Sequence, residues 1–99
     1  MTVNTEKNGN TLNVYIEGRI DTITAPQLEN KLLSDIGDST NLNIDFSEVE
    51  YISSAGLRVL LIFAQKIQSK KGKIQALNVN ETIRKIFNLT GFLEILNVK

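Results

Sequence analysis

Ser53 and Ser54 are the residues of this chain best placed to do chemistry. They lie in the stretch Asp45–Leu57, DFSEVEYISSAGL, which reads as the end of a buried strand, a short turn region and the start of an apolar helix. A helix N-terminus carries unpaired N–H groups and a partial positive charge, so it suits an anion. A hydroxyl placed there has two uses. It can cap the helix, because serine is a favoured N-cap, or it can receive a phosphate. On chemistry alone both serines can be simple caps.

Serine catalysis lacks its usual helpers. The chain has no histidine and no cysteine. A Ser-His-Asp triad cannot form, imidazole metal ligands are missing, and thiolate chemistry and disulfides are excluded. Ser54-Ala55-Gly56 is only half of a Gly-x-Ser-x-Gly elbow. No spacing points to a Ser–Lys pair, and neither phosphate-binding glycine motif occurs, so nucleotide binding has no support. The expectation is a protein that is not an enzyme and needs no metal or cofactor. No side chain changes charge near neutral pH in its unperturbed state. A charge switch would therefore come from outside, as phosphate does.

Eleven basic and eleven acidic residues cancel. That balance argues against direct nucleic-acid binding, which usually shows a basic excess. The N-terminal MTVNTEKNGN has no signal-peptide apolar core. No apolar run approaches the roughly 20 residues of a membrane span. A single cytoplasmic domain over residues 1–99, without membrane insertion, is expected.

The elements that must position the serines follow from periodicity. Val3 to Glu6 suits a first strand, and Asn8-Gly9-Asn10 a hairpin turn. Leu12, Val14 and Ile16 alternate with polar positions as in a strand with one buried face, which Gly18 would end. Thr24 with Gln27 reads as a capping box, Pro26 falls in the first helical turn, and Ile23 with Leu28 forms a hydrophobic staple. Leu28, Leu32, Leu33 and Ile36 mark that helix's buried face, and Gly37 its stop.

Leu42, Ile44 and Phe46 give the next strand, again alternating. A sheet covered fully on one face alternates in this way, whereas a doubly wound sheet shows continuous apolar strands. The main helix runs from Ser54 to about Lys70, with Leu57, Leu60, Leu61, Ala64 and Ile67 toward the core. Ser54, Arg58 and Ile62 share the opposite shoulder, where Ile62 is either a scattered surface residue or part of a partner surface. Lys73–Leu77 suits a strand. Asn80 caps a short helix carrying Ile83, Ile86 and Phe87, which Gly91 ends. Phe92–Leu96 is a short strand or an irregular apolar segment. This β β α β α β α order implies crossovers and a mainly parallel centre, with the hairpin strand at an edge.

Three segments, DFSEVEYISSAGL, IEGRIDTITA (Ile16–Ala25) and RKIFNLTGF (Arg84–Phe92), together resemble the STAS domain of anti-sigma factor antagonists (anti-anti-sigma factors). The resemblance implies an α/β fold with a mixed sheet, an N-terminal hairpin and helices packed mainly on one face. It implies a partner, an anti-sigma factor that is also a serine kinase. The unphosphorylated form captures that kinase and releases the sigma factor. The kinase phosphorylates one serine, and a PP2C-type phosphatase reverses this. The family pattern is Asp-Ser-Ser/Thr/Ala-Gly-Leu with the first serine modified; aligned on Gly56-Leu57, that residue is Ser54. Ser53 replaces the common aspartate, another good N-cap, and offers a rival acceptor. With Ser53 as cap, Ser54 stands at the first helical position on the outer shoulder. Asp21, Ser53, Ser54, Gly56, Arg58 and Ile62 are then the expected partner-binding residues. The other role the resemblance allows is a STAS subunit of a membrane lipid transporter, without a phosphorylation switch.

Overall fold

The computed structural model describes residues 1–99. Strands β1 (Thr2–Asn8) and β2 (Thr11–Ile20) form an antiparallel hairpin. Helix α1 (Ala25–Ile36), strand β3 (Asn41–Ile52), helix α2 (Ser54–Ser69) and strand β4 (Ile74–Leu77) follow, then helices α3 (Glu81–Thr90) and α4 (Phe92–Ile95). The sheet order is β1-β2-β3-β4, with β2, β3 and β4 mutually parallel. Each parallel step needs a long return, which α1 and α2 supply. The mixed sheet with an edge hairpin is the one expected.

Register sorts the side chains between the two faces. Leu12 lies opposite Leu42 and Val14 opposite Ile44, all buried, while Asn13 opposite Asn43 and Tyr15 opposite Asp45 face away from the helices. Ile44 is 1% exposed, so the alternation has the predicted register. Val14, Ile16, Leu42, Leu60 and Ala64 join it in one cluster. On the open face the Asn43 amide donates to the Asn13 side-chain oxygen at 3.2 Å. Helix α3 is fixed through Phe87, whose ring meets Phe46 edge-on at 5.3 Å.

Several local expectations give way to tertiary structure. Gly18 does not end β2: it takes φ +105° inside the strand, a backbone region that suits glycine, and the strand runs on to Ile20. Strand β3 likewise continues through Ser47–Ile52 instead of turning. Two register shifts against β2 insert extra β3 residues, so burial passes from alternation to Phe46, Val49 and Ile52. Leu33 is 48% exposed, and Ala25 takes its place on the buried face of α1. Leu61 is half-buried, while Val59 and Phe63 complete the inner side of α2. The segment after Gly91 is helical, and Val98 then forms a parallel bridge to Ala76.

Candidate functional site

The bulged end of β3 delivers the two serines to a fixed place. The Ser53 N–H donates to the Ile20 carbonyl at 2.8 Å, joining the last residue of β2 to the start of α2. Ser53 is extended, at φ −85° and ψ 174°, and its hydroxyl accepts from the Gly56 N–H at 3.3 Å. This is N-cap geometry, with a long bond. Ser54 is the first helical residue and is exposed. Its neighbour's hydroxyl is engaged and its own is open to solvent. Ser53 is thus the cap, as expected from the sequence, and Ser54 carries the free hydroxyl.

Gly56 lies inward. A Cβ there would stand 2.7 Å from Ile20 Cγ2 and 2.9 Å from Ile52 Cγ2. The glycine lets α2 settle on the ends of β2 and β3. Expected among the partner-binding residues, Gly56 is buried: it makes its close approach to the sheet and offers no side chain to a partner. Arg58 is exposed one turn after Ser54. Ile62, one turn further, lies on the same shoulder but is half-buried, with part of its side chain packed against the core edge.

Asp21 is half-exposed, and its carboxylate is engaged within its own loop. Its carboxylate accepts from the N–H groups of Ile23 at 3.0 Å and Thr24 at 2.9 Å. The Thr24 N–H above all holds this carboxyl below its usual range, with the Thr24 hydroxyl, the Ile23 N–H and nearby Arg19 assisting against desolvation. The Thr24 hydroxyl accepts from the Asp21 N–H and donates to the Arg19 carbonyl, both at 2.8 Å. It is therefore spent on the loop, makes no cap to α1, and the Thr24/Gln27 capping box does not form. The staple fails as well, because Ile23 is 85% exposed while Leu28 is buried.

Between the N-terminal ends of α1 and α2 lies an open groove of about 730 Å³. Ser54, Arg58 and Ile62 line one side, and Thr22, Pro26 and Glu29 the other. The α1 residues were missed in the sequence. Their signal is indirect: parallel crossovers of one hand set α1 and α2 side by side on the same face of the sheet. A second cleft, of about 590 Å³, carries Glu17, Glu48, Glu50 and Glu81, yet no three acidic groups converge to hold a metal ion. No helix is long and apolar enough to cross a membrane.

Comparison with known proteins decides the family. The STAS domain model matches residues 2–99. The chain belongs to the STAS domain family. This STAS domain is 29% identical to the anti-sigma-B factor antagonist of Bacillus subtilis over 96 residues, covering 97% of this chain and 88% of that one. BtrV of Bordetella bronchiseptica is 31% identical over 84 residues, covering 84% of this chain and 72% of its own. Among solved structures, an anti-sigma factor antagonist from Mycobacterium paratuberculosis superposes with a TM-score of 0.85 at 28% identity, covering 98% of this STAS domain and 83% of that chain.

Proposed function

We propose that this STAS domain is a cytoplasmic anti-sigma factor antagonist that acts by binding and not as an enzyme. Its unphosphorylated form binds a serine-kinase anti-sigma factor, and the sigma factor is released. The kinase then phosphorylates Ser54: the seryl oxygen attacks the γ-phosphorus of ATP, the bond to the β-phosphate oxygen breaks, ADP leaves and the hydroxyl proton passes to a base of the kinase. A PP2C-type phosphatase hydrolyses the ester and restores the binding form.

One observation carries this reading: Ser54 is exposed at the first position of α2 while Ser53 serves as the cap. The names of the relatives supply the partner class. The contact surface is the Ser54, Arg58 and Ile62 shoulder with the groove beside it, and Ser53, Gly56 and Asp21 hold that surface in shape from behind. A phosphate adds about −1.5 to −2 charges, which the helix end accommodates without refolding. At the contact the same group must be desolvated. A penalty of about 2.7 kcal/mol already weakens binding about a hundredfold.

The test is incubation with the partner kinase and ATP, followed by peptide mass mapping and a binding titration. One phosphate on Ser54 is expected. Ser54→Ala keeps binding and takes no phosphate, while Ser54→Asp binds more weakly. Phosphate on Ser53, or equal affinity of wild type and Ser54→Asp, overturns the assignment.

A further inference from the structure

We propose that Arg58 is the intramolecular clamp for the phosphate of phosphorylated Ser54, so that the modification also withdraws a cation from the contact surface. This rests on the reading of Ser54 as the modified residue.

Arg58 follows Ser54 by four residues on α2, and both line the same groove. Residues at this spacing are neighbours on a helix, with Cβ atoms about 5–6 Å apart. The guanidinium is planar and offers paired N–H donors that fit two phosphoryl oxygens at once. The order is also the favourable one, with the anion N-terminal to the cation. In the unmodified protein the guanidinium has no carboxylate within ion-pairing distance. The ion pairs of the molecule are Lys7–Asp38 and Lys31–Asp35, and the first turn of α2 contains no acidic residue. Lys31–Asp35 on α1 shows a cation already matched at helical spacing. On α2 the corresponding anion is missing until Ser54 carries one.

Two charged side chains face the groove, Arg58 from α2 and Glu29 from α1. Glu29 repels a phosphate, which favours turning it along α2 toward Arg58. Asp21, on the adjoining loop, keeps its carboxylate on the Ile23 and Thr24 N–H groups. Phosphorylation thus acts twice. It adds negative charge where the partner docks, and it folds Arg58 back onto its own helix.

The experiment installs phosphoserine at position 54 of the whole chain by stop-codon suppression and titrates it by phosphorus NMR. A free phosphoserine loses its second proton near pH 6. The clamp lowers that midpoint, so Arg58→Gln raises it by about 0.2–0.4 unit. Arg58→Lys retains part of the shift, and Glu29→Gln lowers the midpoint further. The difference shrinks in high salt. In the unsubstituted protein the Arg58 Nε–Hε resonance moves with the same midpoint. Identical phosphate midpoints for wild type and Arg58→Gln, or an Arg58 resonance that ignores the titration, overturn the clamp. Because the phosphate is installed without a kinase, a kinase that modifies another residue refutes the switch assignment and leaves this result standing.

Discussion

Two adjacent serines with the same chemistry end in opposite environments because a helix begins between them. Ser53 has strand dihedrals and a hydroxyl turned onto the Gly56 N–H; Ser54 has helical ones and a free side chain. Ser53→Ala should therefore lose about 0.5–1 kcal/mol, the lower part of the usual N-cap range, since 3.3 Å is a long bond. Ser54→Ala should stay within about 0.5 kcal/mol of wild type. Urea denaturation of the two variants side by side checks this, and equal losses would place the cap elsewhere. Gly56 permits a sharper comparison. Alanine is about 1 kcal/mol better than glycine in a helix interior. Yet the added methyl would meet Ile20 and Ile52 at 2.7 and 2.9 Å, and overpacking of this kind costs about 1–3 kcal/mol. Gly56→Ala should thus fail to stabilise the protein and should lower its melting temperature, with α2 pushed off the sheet ends beneath Ser54.

At the scale of elements, the site is the meeting of two helix starts and two strand ends. Ile62 belongs to both the groove and the core edge. Ile62→Asp should weaken partner binding and also cost about 1–2 kcal/mol of stability, in the ordinary range for a substitution that places polarity against apolar packing. A binding loss with no change in the urea midpoint would make Ile62 a purely superficial contact. The same duality explains what the sequence disclosed. Period-two burial in Leu12–Ile16 and Leu42–Phe46, and the helical spacing of Leu57, Leu60, Ala64 and Ile67, are properties of one element against one core, and they are legible locally. So is the Asn80 cap, whose side-chain oxygen accepts from the Ile83 N–H at 3.0 Å. The β2–α1 loop is different. Asp21 and Thr24 are both good cap residues, and only the path of the chain off β2 assigns the carboxylate to the loop N–H groups and the hydroxyl to Arg19. The bulged end of β3 depends on its pairing with β2, which no local pattern records. The α2 shoulder of the site was readable from one helix's period; the α1 side required knowing how two helices lie together.

At the scale of the whole molecule, charge ties the elements in pairs and sets the response to pH. Asp35 on α1 accepts from the Thr5 hydroxyl of β1 at 2.6 Å and pairs with Lys31 at 2.9 Å; these lower its pKa. Lys7 does the same for Asp38 across the hairpin end. Burial works against the charge on Asp45, but the hydroxyl and N–H of Ser47 and the Asn78 amide outweigh it and keep that carboxyl low as well. With Asp21, all four shifts are downward. A carboxylate held below its unfolded value of about 3.9 stabilises the fold above that pH, and the benefit disappears as the pH falls through the lower folded values. With no histidine in the chain, no side chain titrates in the ordinary way between about pH 5 and 8. Thermal midpoints should therefore be flat from pH 5 to 7 and should fall below about pH 4. Asp35→Asn should show a shallower acid decline, since it removes one group that must be protonated. A marked step near pH 6 in the unmodified protein would contradict this reading. The protein with phosphoserine at position 54 should acquire such a step. A clamp that lowers the phosphate midpoint in the folded state adds stability above about pH 6, and that gain is lost as the pH falls through the lowered midpoint. A pH dependence near neutrality thus belongs to the added phosphate, and its size should fall when Arg58 is replaced by glutamine.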